Sequence, residues 1–346
     1  MAVLAVVTSS PLGVEGGHLV IARSLVAALR AAGHDADLVI TPDYGFGRQA
    51  SAYLATWQTD VSTLDGRRVD QVISLRYPSY AVRHRAHVCW LNHTMREYYD
   101  LWPELTASIS WPNLVKESLR KIAIRAADRW LLTANVTRVV AQSQTIQRRL
   151  AGDFGIRADV AYPPPPQRAY RCEEYGDYIF AVSRMTPHKR LDLLVRALAE
   201  ASAGHVKAVI AGEGDERGDL ERLARTLGVA DRVTFAGRIG DETMLDHLAR
   251  CRAVCFTPRA EDYGFVTVEA FASHKAVITC ADSGGPTELV TDDETGVICE
   301  PTPASVAIAI ARLADDRRLA ERLGTNAASR AAAMSWDLTV KRLLLI

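Results

Sequence analysis

Short continuous apolar runs, separated by stretches in which apolar residues recur every three or four positions, repeat along almost the whole chain. The first run, Ala2-Val3-Leu4-Ala5-Val6-Val7, is apolar on both strand faces, as expected of a central parallel strand covered by helices on each side. A loop over residues 8–17 leads into Leu19, Ile21, Ala22, Leu25, Ala28 and Leu29 at helical spacing, with Gly33 as the C′ residue. Further strand-like runs fall at 37–40, 70–75, 87–91, 138–141 and 158–162, with helical periodicity at 114–132 and, behind an N-cap at Ser143, at 146–150. Pro163-Pro164-Pro165-Pro166 then stops any strand and favours stiff polyproline II, so the expected domains are 1–165 and 166–346. The alternation restarts with strands at 178–183, 206–211, 233–235, 253–257, 276–280 and 296–299. Helices are expected between them, one capped by Asp241 and one over 266–273. The tail from 303 onward reads as helix, and Trp336 with Leu343-Leu344-Leu345-Ile346 is expected to dock, the last helix packing back on the first domain. Such alternation predicts an α/β chain of two doubly wound parallel sheets.

Composition narrows the picture little. A length of 346 residues, 48% apolar and 24% charged, suits two soluble domains. Lys plus Arg equals Asp plus Glu, so no global field recruits nucleic acid, although the first half is mildly basic, a tilt toward an anionic partner there. Six cysteines without a Cys-x-x-Cys pair, several in strand-like runs, predict reduced, buried thiols in a cytoplasm. The apolar start is too short for a signal peptide, and no run approaches the roughly 20 residues needed to cross a bilayer. Lys116, Arg120, Lys121, Arg125 and Arg129 punctuate the 114–132 helix. The expectation is a solvated basic face, with peripheral contact to an anionic membrane as the alternative.

Candidate chemistry gathers in the turns that follow strands, where open α/β sheets bind ligands. Glu261 and Glu269 are eight apart, about 80° out of phase on one helix, so they are not a stripe on a single helix. Glu261 is expected in the loop after 253–257 and Glu269 on the helix behind it, with Gly264 turning the backbone between them. Arg184 and Lys189 flank another strand-to-helix turn, where a planar fork and a point charge converge on one anion. Ser283-Gly284-Gly285-Pro286 opens a helix whose bare N–H groups make an anion-ready turn. Gly16-Gly17 either lets a phosphate or sugar approach backbone N–H groups or supplies a tight turn with positive φ. Gly212-Glu213-Gly214 with Gly218 misses the dinucleotide spacing by one residue, so it is a turn near a crevice rather than an NAD fingerprint. His93 sits where the 87–91 strand ends, and His84, His87 and His93 match no familiar zinc spacing.

Gly16-Gly17, Arg184-x4-Lys189, Glu261-x7-Glu269 and Ser283-Gly284-Gly285-Pro286, in this order, resemble the retaining glycosyltransferase family 4. The resemblance covers nearly the whole chain. It implies the GT-B fold, two Rossmann-like domains facing a cleft, the first for the acceptor and the second for the donor. The implied activity is hexosyl transfer from a nucleotide-diphosphate sugar to a glycan, lipid-linked or small-molecule hydroxyl, with no cofactor and no metal. Arg184 and Lys189 would hold the diphosphate, Glu269 the ribose, and Glu261 the sugar, with backbone at Gly264, Phe265 and Val266 touching sugar or phosphate. Gly284 and Gly285 would add donor contacts, as would Gly16 and Gly17 from the first domain; the backbone at Arg238 and Ile239 would meet the base. His93 resembles the first-domain histidine near the reacting face, although this chain reads His93-Thr94-Met95-Arg96 where relatives often carry His-x-His-Arg. Closure about the four prolines would exclude water. A sugar-nucleotide epimerase of the same fold and an inactive nucleotide-sugar-binding protein are the alternatives.

Overall fold

The computed structural model describes residues 1–11, 16–107 and 109–345. The chain divides into two compact units, Met1–Pro163 with Ser335–Ile346, and Pro164–Met334. The division thus falls two residues before the expected boundary, within the proline run.

The first unit is built on strands β1 (Val3–Ser10), β2 (Asp35–Pro42), β3 (Thr63–Leu64), β4 (Arg67–Arg68), β5 (Gln71–Ser74), β6 (His87–Leu91), β7 (Arg138–Ala141) and β8 (Asp159–Val160). All but the β3–β4 hairpin join one parallel sheet in the order β2-β1-β5-β6-β7-β8. Strands β5 and β6 are buried along their whole length, and β6 is accordingly apolar from Val88 to Leu91 rather than alternating, whereas β5 buries Gln71 and Ser74 at its ends. The helix Gly17–Ala31 lays Leu19, Ile21, Ala22, Leu25 and Leu29 on the sheet and ends at Gly33, whose φ of 84° only glycine adopts at little cost. The C-terminal helix Trp336–Leu343 belongs to this unit: Trp336 meets Trp90 edge-on at 6.3 Å, and Leu343 is fully buried. Buried Gln71 donates to the Leu343 carbonyl (2.7 Å) and accepts from Leu345 N–H (2.9 Å), so the tail is fastened by both packing and hydrogen bonds.

The second unit carries β9 (Tyr178–Val182), β10 (Lys207–Ala211), β11 (Val233–Gly237), β12 (Ala253–Cys255), β13 (Val277–Cys280) and β14 (Gly296–Cys299), all parallel, in the order β11-β10-β9-β12-β13-β14. The chain winds outward from β9 in one direction and from β12 in the other. The loops after these two neighbours therefore diverge at the switch point where doubly wound sheets bind ligands. The helix Leu191–Ala199 buries Leu191, Leu193, Leu194, Val195 and Leu198 in the core beneath. Each such side chain contributes about 1.5–3 kcal/mol. Cys89, Cys251, Cys255 and Cys280 are buried free thiols as expected, but Cys172 is exposed because it lies in the extended segment before β9.

Candidate functional site

The loop after β12 forms the floor of the candidate site. Regular strand ends at Cys255, earlier than its apolar run suggests, because the carbonyls of Thr257 and Pro258 accept from the Arg190 guanidinium (2.9 and 2.7 Å). Glu261 then bridges to the loop after β13: its N–H donates to Ser283 O and its carbonyl accepts from Gly285 N–H, both at 2.8 Å. A Cβ on Gly284 would sit 2.5 Å from Glu261 O, and one on Gly285 2.5 Å from Tyr263 Cα. Ser-Gly-Gly-Pro is thus a contact surface between two loops. Its N–H groups are not bare, since Ser283 N–H also donates to Cys280 O. Gly264 has φ 86° and faces the Phe256 ring and Pro286, and it starts the helix Phe265–Ala272, on which Phe265 and Val266 stay partly exposed.

The loop after β9 meets this floor. Lys189 closes a 3-10 turn over Pro187–Lys189, and its Nζ lies 2.5 Å from Glu261 Oε2 and 5.6 Å from the Phe256 ring centre. Arg184 in the same loop is exposed; its carbonyl accepts from Thr186 N–H (3.0 Å), and its guanidinium makes no hydrogen bond or ion pair to a described residue. Between Lys189 and the helix stands Arg190, which the sequence reading missed. Its left-handed φ of 50° is held by a two-pronged pair to Asp282 (2.8 and 2.6 Å) together with the two carbonyls of the β12 loop. Gly212 and Gly214 serve close packing, because a Cβ on either would collide with the carbonyls of Ser183 and Met185. Arg238 is exposed and pairs with Glu213 at 3.2 Å, and Ile239 beside it is partly buried.

Glu269, fifth residue of its helix, is buried, as its place behind the loop required. Its Oε1 accepts from Arg168 Nη1 (2.5 Å) and Tyr170 Oη (3.4 Å), while Arg168 Nη2 donates to Asp241 Oδ1 (3.1 Å). Burial pushes the Glu269 carboxyl up to about 7, against the pull of Arg168 and Tyr170. Asp241 is the first residue of its helix rather than the cap, a place taken by Gly240, and its side chain serves Arg168 instead. No sequence signal marked Arg168 or Tyr170. Both lie in an irregular segment far from Glu269 along the chain.

In the first unit, Gly16 is extended (φ −163°, ψ 174°) and precedes the helix that Gly17 opens, so neither glycine makes the positive-φ turn. Gly13 and Glu15 of that loop lie outside the described residues. His93 follows β6, and its Nδ1–H donates to Thr94 O at 2.8 Å, leaving Nε2 as an acceptor. Burial, and then the cation of Arg76, push it down to about 3, so it is neutral at physiological pH. Met95 is buried with Tyr77 and Tyr98 in an apolar cluster. His84 bonds to the carbonyls of Ala86 and Val69, and His87 to Ser74 Oγ. Among the described residues no group of three or more His, Cys, Asp or Glu is placed to hold a metal ion.

The basic helix, Trp111–Trp130, is inverted relative to a solvated one. Its acids point inward: Glu117 accepts from Tyr98 and Arg120 (2.7 Å each), and Asp128 from Tyr99 (2.7 Å), Tyr53 and Tyr80. Its outer face carries Trp111 (74% exposed), Leu119 (65%) and Ile122 (67%), with Val115 and Trp130. Trp111, Val115, Leu119 and Ile122 recur every three to four positions, Trp130 follows about two turns on, and exposed Lys116 and Arg129 border them.

Two parallel doubly wound sheets, each with ligand-type loops at its switch point, define the GT-B class of fold. The chain aligns over 98% of its length with Anabaena HepE in complex with UDP and glucose (97% of that chain, TM-score 0.71, 18% identity). It aligns over 99% with WaaG, a glycosyltransferase involved in lipopolysaccharide biosynthesis (100% of that chain, TM-score 0.74, 15% identity). At these identities the likeness shows the fold. Residues 168–330 match the family model Glycosyl transferases group 1. Relatives include a D-inositol 3-phosphate glycosyltransferase of Nocardia farcinica, 33% identical over 62% of this chain and 52% of that protein. A GDP-mannose-dependent alpha-(1-6)-phosphatidylinositol monomannoside mannosyltransferase of Mycobacterium tuberculosis is 32% identical over 58% of this chain and 59% of that protein. The alpha-D-kanosaminyltransferase of Streptomyces kanamyceticus is 33% identical over 48% of this chain and 45% of that protein. The chain spans about half the length of the curated relatives it matches.

Proposed function

We propose that the protein is a retaining, metal-independent glycosyltransferase that moves a sugar from a nucleotide-diphosphate sugar to an acceptor hydroxyl. The observation that carries this reading is the Lys189–Glu261 pair on two bridged loops at the switch point, with the buried carboxylate of Glu269 behind it. Breaking the sugar–phosphate bond leaves positive charge on the sugar and negative charge on the diphosphate. Lys189 and the uncommitted Arg184 stabilise the latter. Glu261 contacts the donor sugar, backbone at Gly264, Phe265 and Val266 touches sugar or phosphate, and Gly284 and Gly285 add donor contacts. Glu269 accepts from the ribose, and backbone at Arg238 and Ile239 meets the base. Glu261 is not a nucleophile in this reading: the departing phosphate takes the acceptor's proton. Gly16, Gly17 and His93 keep the donor roles that the resemblance implies. HepE with bound UDP-glucose and the GDP-mannose-dependent relatives support a nucleotide-sugar donor.

The test is donor-dependent transfer by the purified protein. Lys189→Ala should lower kcat by about 100-fold or more, and Glu269→Gln should raise the donor KM, both with unchanged circular dichroism. Full activity in both variants overturns the assignment, and product formed without acceptor would mark an epimerase instead.

We further propose that this enzyme works at the cytoplasmic face of an anionic membrane, resting on the helix Trp111–Trp130. Its outward apolar stripe has tryptophans at both ends, and its acids are turned inward, so the charge left facing out is basic. Beside it, Trp57 packs on Trp130 (5.4 Å) and lines an open cavity of about 490 Å³ with Arg83 and Arg85, whose cations suit lipid phosphate. No helix among the described residues is long and apolar enough to cross a membrane. The protein should sediment with phosphatidylglycerol vesicles more than with phosphatidylcholine vesicles, and Leu119→Asp with Ile122→Asp should abolish this. Equal partitioning of wild type and variant would refute it.

A further inference from the structure

Glu269 is a carboxylate with little water around it, and an unsupported buried carboxylate takes up a proton rather than stay charged. What opposes this comes from one short segment. Arg168 and Tyr170 both lie between the division of the two units and β9, and both reach Glu269 Oε1. Oε2 accepts no hydrogen bond from a described residue. Arg168 is itself anchored by Asp241 Oδ1 at 3.1 Å, so its planar guanidinium spans two carboxylates and cannot swing away without breaking both contacts.

We infer that Arg168 and Tyr170 are positioning residues for the donor: they hold Glu269 as a carboxylate, occupy Oε1, and leave Oε2 to accept from the nucleotide's ribose. The inference rests on the ribose-holding role proposed for Glu269. Nothing in the chemistry asks Arg168 to touch the donor; it acts through the acid. A ribose offers two neighbouring hydroxyl donors, and a charged oxygen accepts from them about twice as strongly as a neutral one. Once Glu269 is protonated, one of its oxygens becomes a donor and that grip is lost. The groups facing Glu269 are Arg168 and Tyr170 from the segment before β9 and Asp241 from the helix Asp241–Arg250. Asp241 repels it and Arg168 attracts it, so removing Arg168 leaves a buried acid with a like charge beside it and only the long Tyr170 hydrogen bond in support.

The experiment is steady-state kinetics and calorimetric binding from pH 5.5 to 9, with UDP-glucose and GDP-mannose as the donor probes. For the wild type, donor KM should rise as pH falls through about 7 while kcat changes little. Arg168→Gln should move that limb upward by about one pH unit, which raises KM at pH 7 about fivefold and well below that pH about tenfold, with kcat within about twofold. Arg168→Lys, which keeps the charge, should restore most of the affinity. Tyr170→Phe should raise KM about twofold and move the limb upward by less than Arg168→Gln does. A KM and pH profile in Arg168→Gln identical to wild type overturns the inference. Where Arg168→Gln does not fold, a pH limb in Arg168→Lys and Tyr170→Phe identical to wild type, with unchanged KM, overturns it equally. Glu269→Gln separates the two levels: donor affinity unaffected in that variant defeats the ribose-holding role itself, whereas lost affinity there with an inert Arg168 defeats only the positioning.

Discussion

At the scale of single residues, the donor loops are ordered by charge pairs that the free protein makes with itself. Lys189 is held by Glu261 and Glu269 by Arg168, so these three of the charged groups assigned to the donor, Lys189, Glu261 and Glu269, are paired and aimed before a donor arrives, while Arg184 stays uncommitted. Glu269 also makes opposite predictions for stability and for binding. Its folded pKa of about 7 lies above the 4.5 of a free glutamate, so it binds its proton more tightly in the folded state. Its contribution to stability is therefore fully present below about pH 4.5 and lost as pH rises through 7. Donor binding needs the ionised form and strengthens over the same range. Glu269→Gln should flatten the stability–pH curve between 4.5 and 7, measured by urea unfolding without donor. Gly285→Ala makes a second residue-scale test: its Cβ would press into the Tyr263 backbone, and a loss of about 2–4 kcal/mol is expected by the same measurement.

At the scale of elements, the strands and helices were largely legible because the period of the apolar pattern changes between them. β1, β5, β6, β9 and the helix Leu191–Ala199 follow from that pattern alone. Three elements differ for tertiary reasons. β12 is short because Arg190 takes the carbonyls at its end; Asp241 does not cap because Arg168 claims its carboxylate; the basic helix presents its apolar side because its acids are bonded inside. Asp128 is central to the last of these. Burial pushes it up to about 6, against three phenol donors from Tyr53, Tyr80 and Tyr99. Asp128→Ala would leave those hydroxyls unpaired and should cost about 3–5 kcal/mol, read as a lower unfolding midpoint.

At the scale of the whole molecule, the chain leaves its first unit at Pro163 and re-enters it at Ser335. Two segments distant in sequence therefore share one core, and the first unit is incomplete without the tail. Trp336→Ala removes the edge-on contact with Trp90 and should cost about 2–4 kcal/mol. The loss is expected in the unfolding of the first unit, followed by fluorescence of its tryptophans, with nucleotide affinity of the second unit little changed. The family match at 168–330 falls wholly inside the second unit, where three of the four predicted donor motifs also lie.

What the sequence by itself determined are the features written in local order: the period of each apolar run, the glycines that turn the chain after β12 and β13, and the order of the four motifs. From these came the α/β class, two sheets, and the separation of Glu261 in a loop from Glu269 on a helix. What only tertiary structure decided are the partners. Glu269 meets Arg168, 101 residues away along the chain, and Lys189 meets Glu261 across 72. Such pairs leave no periodic trace, because a charge is placed by the fold of two remote loops rather than by its neighbours in the chain. The same holds for burial: Glu117 and Asp128 look like surface acids on a basic helix until the tyrosines of other segments close over them.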